Sequence, residues 1–254
     1  MIDLQGRVAL VTGSSRGIGR ATAERLAEAG ADVVVNYLTS REAAQETAQA
    51  IERLGRRAVT VKADMSEPED VAAMMEFVAE RLGRLDILVH NAAGGGFRSL
   101  LEATPKNFES TFNTNVRALL TLVQAAHSLL SKSPGRGKVV ALSSHGSHRA
   151  LPHYALIGAS KAAMESLVRH MALELGPTGV NFNVVLAGLV STDSTKHVPQ
   201  AEVMFQANQA RLLVGERELL PRDVADAVLY LASPLSDLVQ GQVLVIDGGA
   251  TLHG

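Results

Sequence analysis

Seven short runs rich in β-branched residues recur along the chain: Val8 to Thr12, Asp32 to Asn36, Ala58 to Ala63, Asp86 to His90, Lys138 to Ser143, Asn181 to Leu186 and Gln242 to Asp247. Between them, Gly17 to Ala29, Glu42 to Leu54, Glu69 to Leu82, Phe108 to Leu130, Ala155 to Leu175 and Arg222 to Leu231 carry helical patterns. A strand that is apolar at nearly every position needs cover on both faces, and strands joined through helices run parallel. With right-handed crossovers the expectation is an α/β, doubly wound, seven-stranded parallel sheet with helices on both faces. Local punctuation agrees. Thr39 with Glu42 and Ser66 with Glu69 fit capping boxes, Gly30, Gly55, Gly83 and Gly176 follow helix ends, and Pro221 fits a first helical turn.

A chain of 254 residues, 46% hydrophobic, is expected to form one domain over residues 1–254. The stretch Leu189 to Leu220 lacks a strand pattern and is too long for a simple connector, so residues 189–220 are expected to form an insertion that covers a substrate. The chain has no Cys, which excludes disulfides, thiolate catalysis, Cys-based zinc sites and iron–sulfur clusters. A formal net charge of -2 with both signs scattered argues against a nucleic-acid or anionic-membrane surface. No apolar run approaches the length of about 20 residues that a membrane span needs. The beginning of the chain, Met1 to Arg7, shows no cleavable pattern, and the expected location is cytoplasmic. The expected partner is a small molecule with its own negative charge.

In an open parallel sheet, ligands bind beyond the carboxyl ends of the strands, near the point where strand order reverses. After the first run comes Thr12-Gly13-Ser14-Ser15-Arg16-Gly17-Ile18-Gly19. Glycines here permit a tight turn and close approach by a pyrophosphate, which a helix N-terminus favours; Gly13, Ser15, Arg16, Gly17, Ile18 and Gly19 are the candidate contacts. The second run ends at Asn36 and Tyr37, with no acid for a ribose 2′-hydroxyl. Arg16 and Arg41 suit a 2′-phosphate instead, which favours NADP(H) over NAD(H). Asp64, followed by Met65, either accepts from an adenine amino group or caps the turn before Ser66. Asn91-Ala92-Ala93-Gly94 is small and polar enough to let backbone and amide approach a cofactor, or to form a tight turn.

Tyr154 and Lys161 are seven residues apart, two helical turns, which puts a phenol and an ammonium on one face. A nearby ammonium favours the phenolate and is expected to bring the phenol pKa towards neutrality. Together with Ser144, Asn115, Asn183 and the closing Ile246-Asp247-Gly248-Gly249, these motifs resemble the short-chain dehydrogenase/reductase family over nearly the full length. The resemblance implies a Rossmann-type fold in which Tyr154 donates a proton and Ser144 holds the substrate oxygen. It further implies that Lys161 binds the nicotinamide ribose and lowers the Tyr pKa, and that Asn115 supports a water-linked proton path. Asn36, Asn91, Ala92, Met65, Gly188 and Thr192 fall at cofactor-contacting positions. Association as a homotetramer or homodimer is implied as well.

Within the family the chain is most similar to enoyl-ACP reductase III, with 3-oxoacyl-ACP reductases next. This rests on Asn91-Ala92-Ala93, the short span from Ser144 to Tyr154, Ile157-Gly158 before Ser160-Lys161, and Thr192-Asp193 followed by Lys196-His197-Val198-Pro199. Ala150 stands where that reductase has a second Tyr, and Ala187-Gly188 replaces Pro-Gly. His145, His148 and His153 cluster without a carboxylate nearby in sequence, so a metal is not expected; with Arg149 they suit an anionic substrate group. Met204 and Phe205 suit either an acyl chain or helix packing. The resulting expectation is an NADPH-dependent reductase of an acyl-carrier-, CoA-linked or polyketide-like substrate, leaning to 2-enoyl reduction. A carbonyl reductase or alcohol dehydrogenase, and a non-catalytic NADP(H)-binding module, are the alternatives.

Overall fold

The computed structural model describes residues 2–192, 195, 201–215 and 217–252. Its strands are β1 (Val8–Val11), β2 (Asp32–Tyr37), β3 (Ala58–Lys62), β4 (Ile87–His90), β5 (Gly137–Ser144), β6 (Val180–Ala187) and β7 (Val243–Ile246). Its helices are α1 (Gly17–Glu28), α2 (Arg41–Arg53), α3 (Pro68–Leu82), α4 (Pro105–Phe112), α5 (Ala118–Leu130), α6 (Ala155–Leu175), α7 (Ala201–Gln209) and α8 (Pro221–Ala232). The strands form one sheet in the order β3-β2-β1-β4-β5-β6-β7, every neighbouring pair parallel. This is the expected doubly wound topology, and each strand boundary falls within one residue of its sequence-based position. The order reverses between β1 and β4, so the carboxyl ends of these two strands flank the crevice.

Both faces are covered. One core layer packs Leu88, Val139 and Phe182 under Met74, Leu122 and Met164 of α3, α5 and α6. The other packs Val33, Val89 and Val185 under Leu26, Ile51 and Val228 of α1, α2 and α8. Alternate residues of each inner strand therefore face opposite layers, which is why those strands read as continuous apolar runs. Among the described residues no helix is long and apolar enough to cross a membrane.

Several local expectations are corrected. Helix α2 starts at Arg41 with Ser40 flanking it, so Thr39 is one residue too early to cap it and its box with Glu42 does not form. Pro68 opens α3, and Ser66 Oγ donates to Asp64 Oδ1 rather than capping the helix. Proline needs no capping partner at that position, having no N–H. A capping box does form at Thr104 and Asn107. Gly176 follows the end of α6 as expected but keeps helical φ/ψ, and the chain reverses at Gly179 (φ 91°); Gly176 also makes room for Gln240, whose Nε2 would lie 2.4 Å from an added Cβ.

The helix expected over Phe108 to Leu130 begins at Pro105 and is interrupted by a π turn at Asn113–Arg117, where the Ala118 N–H reaches the Asn113 carbonyl. Of the insertion expected at 189–220, the described part contains α7 and a turn in which the Leu213 N–H donates to the Gly248 carbonyl at 2.8 Å. Asp193 and Lys196 to Pro199, part of the subgroup resemblance, lie outside the described residues.

Phe182 is fully buried in the layer beneath α6. Phe182→Ala is expected to lower the unfolding free energy by about 3–5 kcal/mol through lost burial and a residual cavity. Urea denaturation should show this as a lower midpoint at unchanged slope.

Candidate active site

The turn after β1 is built by hydrogen bonds from two neighbouring strand ends. Asn36 Oδ1 accepts the Gly13 N–H (3.0 Å), the Asn36 carbonyl accepts the Ser14 N–H (2.9 Å), and Asn36 Nδ2 donates to the Ala63 carbonyl (3.1 Å). Asn91 Nδ2 donates to the carbonyls of Thr12 (2.9 Å) and Gly13 (3.0 Å), while Thr12 Oγ1 accepts the Asn91 and Ala92 N–H groups. Asn36 and Asn91, expected to contact a cofactor, thus have their amides occupied in shaping the turn. Met65 likewise packs its side chain into the core. Asp64 takes the turn-capping alternative at Oδ1, which accepts the Ser66 N–H and hydroxyl.

A Cβ at Gly19 would lie 2.3 Å from the Gly13 carbonyl, and one at Gly13 would lie 3.1 Å from Ala92 Cα. Gly13 and Gly17 have φ of 62° and 58°. The glycines are therefore required by close backbone approach and left-handed geometry. Helix α1 opens at this turn without a side-chain cap, leaving its first N–H groups available to an anion. Arg16 at its start and Arg41 at the start of α2 are exposed, and neither has a carboxylate partner among the described residues. Ile18 and Ser15 sit in the same turn, Ser15 nearly buried. Across the crevice Thr192 Cγ2 lies 3.6 Å from a Cβ built on Gly17, and the Gly188 N–H donates to the Ile246 carbonyl at 2.8 Å. The donor set, the glycine cradle and the two free guanidinium groups fit a phosphate-bearing dinucleotide.

Ser144 ends β5 and Tyr154 immediately precedes α6; their hydroxyl oxygens are 3.0 Å apart. Close neighbours confine the phenol ring. Phe97 packs on it with centroids 5.4 Å apart, and Gly146 lies so close that an added Cβ would be 2.4 Å from Tyr154 Cδ1. Gly146 was not singled out by sequence; the only hint is its place between Ser144 and Tyr154. Burial pushes the Tyr154 pKa up, against the lowering effect of the Ser144 hydrogen bond. This corrects the expected lowering: Lys161 directs its Nζ to the Leu142 carbonyl (2.6 Å), and desolvation of the phenol dominates.

Lys161 is buried, and desolvation pushes its pKa down to about 8, with Glu165 pulling upward. Asn115, fully buried in the π turn, is bonded at both ends of its amide: Oδ1 accepts the Gly94 N–H (2.8 Å), and Nδ2 donates to the Gly94 carbonyl (2.9 Å) and Ser160 Oγ (2.8 Å). Its main-chain carbonyl lies 3.2 Å from His90 Nε2. In the sequence His90 is marked only as a strand end. Burial first, and the Lys161 charge second, push its pKa down to about 4, so it is neutral at physiological pH and Nε2–H is the donor to that carbonyl.

The histidine cluster has a carboxylate after all: His145 Nε2 lies 3.1 Å from Asp247 Oδ2, brought from the far end of the chain. Nevertheless, no group of three or more metal-capable residues occurs among the described residues. His145 and His148 meet edge to face, and Arg149 donates to the Thr251 carbonyl, so this loop is tied to the turn after β7. His153, next to Tyr154, adopts φ 60°, and its carbonyl accepts the Arg98 N–H (3.0 Å). Ala150 is exposed and Ala187 is buried at the end of β6.

The family model described as enoyl-(acyl carrier protein) reductase matches residues 13–251. The 1-cyclohexenylcarbonyl-CoA reductase of Streptomyces collinus is 39% identical over 97% of this chain and 87% of its own length. Among solved structures, a short-chain dehydrogenase from Burkholderia cenocepacia J2315 in complex with NADP superimposes with a TM-score of 0.87 at 39% identity, covering 97% of this chain and 98% of that one. A 7α-hydroxysteroid dehydrogenase complexed with NADH and 7-oxo glycochenodeoxycholic acid gives 0.91 at 32% identity, covering 97% and 95%.

Lys161 has a stability signature. Its folded-state pKa of about 8 lies below the ordinary 10.5, so between these values the unfolded chain binds more protons and stability rises with pH. From about pH 7.5 to 9.5 the wild type should gain on the order of 2 kcal/mol relative to Lys161→Met. Denaturant midpoints of both proteins at the two pH values check this.

Proposed function

The chain belongs to the short-chain dehydrogenase/reductase family, and on that premise we propose that it is an NADPH-dependent reductase of acyl-thioester or polyketide-like substrates, leaning to 2-enoyl thioesters. The observation that carries this reading is the pair of hydroxyls, Ser144 and Tyr154, 3.0 Å apart at the rim of β5, with Lys161 buried further along α6. Two donors converging on one point suit an oxygen that gains negative charge. When bound, the nicotinamide supplies the hydride. Tyr154 and Ser144 hold the substrate oxygen as it becomes enolate or alkoxide, and Tyr154 gives up the proton. Lys161 provides a fixed positive charge at the site and a donor for the nicotinamide ribose. Asn115 pins the Gly94 backbone against α6, keeping the crevice wall in place.

NADP(H) is supported by the two free guanidinium groups, by the absence of an acid after β2, and by the likeness to the NADP-bound dehydrogenase. The roles of Gly13, Gly17, Gly19, Gly188 and Thr192 in binding it follow from their positions around the cradle. Reduction of a carbon–carbon double bond is supported by similarity to the 1-cyclohexenylcarbonyl-CoA reductase. A carbonyl reductase is the second reading, favoured by the likeness to the hydroxysteroid dehydrogenase and by Ala150 in place of a second Tyr. A cytoplasmic location and a homotetramer or homodimer belong to the same proposal, resting on the family.

The purified protein should oxidise NADPH with a 2-enoyl-CoA faster than with a 3-oxoacyl-CoA or a simple ketone. Tyr154→Phe should lower turnover by about 10²–10⁴-fold while cofactor affinity survives. Reaction with only the oxo compounds would move the assignment to carbonyl reduction, and undiminished turnover in Tyr154→Phe would sink the mechanism. Separately, Arg16→Ala combined with Arg41→Ala should weaken NADPH at least roughly tenfold more than NADH, measured by fluorescence titration; equal losses would point to general destabilisation and overturn the 2′-phosphate assignment of the two arginines.

A further inference from the structure

The closing Ile246-Asp247-Gly248-Gly249 motif and the loop carrying His145 and Arg149, neither used by the proposed reaction, meet next to Ser144. The turn after β7, residues 247–251, contains two left-handed glycines, Gly248 (φ 62°) and Gly249 (φ 80°), which bend the chain back on itself. Asp247 holds the bend together: Oδ1 accepts the Gly249 N–H (2.9 Å), and Oδ2 accepts the Thr251 N–H (3.2 Å) and hydroxyl (2.5 Å). Burial opposes the charge of Asp247, but the hydrogen bonds from Thr251 and Gly249 outweigh it and hold the carboxyl below its ordinary range. On one side the segment before α8 closes the turn. There the Leu213 N–H donates to the Gly248 carbonyl (2.8 Å), and Leu212 Cδ2 lies 2.9 Å from a Cβ built on Gly248.

The loop between Ser144 and Tyr154 rests on the other side. His145 Nε2 faces Asp247 Oδ2 at 3.1 Å, at ion-pair distance but without the alignment of a hydrogen bond, and the two side chains are only 13% and 8% exposed. The Arg149 guanidinium makes the second link, donating to the Thr251 carbonyl. Between these anchors the loop folds on itself, since the His148 and Arg149 N–H groups both donate to the His145 carbonyl (3.2 and 2.9 Å). His145 directly follows Ser144. Gly146 comes next, so close to the phenol that an added Cβ would lie 2.4 Å from the Tyr154 ring. A shift of this loop therefore reaches both hydroxyls, one through the chain and the other through the ring.

We propose that Asp247 is a positioning residue of the active site: it shapes the turn after β7 into a seat for the loop between Ser144 and Tyr154, and so sets how the two hydroxyls converge. Asp247 touches neither hydroxyl and acts through His145, Arg149 and Gly146. A purely structural Asp247 would stabilise the turn and leave turnover per folded molecule untouched, whereas misplacing a reacting group by about 1 Å costs on the order of 10²-fold. The inference rests on the proposed reaction only in that the reaction uses the convergent hydroxyls; the seat itself is a property of the protein alone.

The test joins hydrogen–deuterium exchange of the protein alone to kinetics with NADPH and whichever thioester or ketone the wild type reduces. In Asp247→Ala, amides of residues 145–154 should exchange faster together with those of 247–252, while the glycine turn at 13–19 exchanges as in the wild type. Its kcat should fall by about 10–100-fold with NADPH affinity kept within about twofold. Asp247→Asn, which keeps an acceptor for the Gly249 N–H, should retain more of kcat. Arg149→Met should also lower kcat, and combined with Asp247→Ala it should cost less than the product of the two losses, because both act through one seat. Should Asp247→Ala not accumulate as folded protein, Asp247→Asn takes its place in every measurement. Unchanged exchange at 145–154 in the folded variant overturns the proposal, as does an unchanged kcat, or losses that multiply in the double variant. Faster exchange of both segments, where the wild type reduces none of the substrates offered, upholds the seat and faults the reaction instead.

Discussion

Both faces of the seven-stranded sheet are sealed by helices, and that seal confines polar chemistry to one rim. Backbone N–H and C=O groups in the middle of the sheet bond to neighbouring strands, and the side chains between them pack into the two apolar layers. At the carboxyl ends of β1, β4, β5 and β6 the ladder runs out. There the chain must find other partners for its backbone or expose it to a ligand. The reversal of strand order between β1 and β4 adds a crevice at this rim, because the connections from the two strands depart in opposite directions.

Asparagine supplies most of the missing partners. Asn36, Asn91 and Asn115 each use one amide to join segments distant in sequence: β2 to the glycine turn, β4 to the same turn, and the π turn to the Gly94 loop and α6. An amide offers both donors and an acceptor, so it can replace a strand neighbour on two sides at once. Asn115 meets Gly94 and Ser160 from within the π turn, where the helix departs from regular winding. Glycine does the complementary work: Gly19, Gly146 and Gly158 stand where backbone or ring comes within 2.5 Å of any added Cβ.

Electrostatically the rim opposes burial against pairing. Desolvation raises Tyr154 and lowers Lys161 and His90, so in the chain by itself the phenol is protonated, the imidazole neutral and the ammonium weakly held. A protonated phenol is the form a proton donor needs. The His145–Asp247 contact shows a similar linkage at longer range, tying the loop between Ser144 and Tyr154 to the turn after β7.

Strand positions, helix succession and sheet type were legible in the sequence because periodicity reports burial directly: a residue facing a helix layer must be apolar whichever helix supplies it. The glycine turn, Ser144, Tyr154 and Lys161 were legible because few residue types can do their work. Individual partners were not. Thr39 and Ser66 looked like caps, yet a one-residue shift and a proline gave those helix starts to other groups. Asn36 also shapes the glycine turn and Met65 also packs into the core, roles that depend on segments far away in the chain. The sequence by itself determined the fold class and singled out the candidate site residues, since both follow from residue chemistry and spacing. Only the tertiary structure decided which groups are desolvated, Lys161, His90 and Tyr154 above all, because burial depends on segments that meet only after the chain has folded.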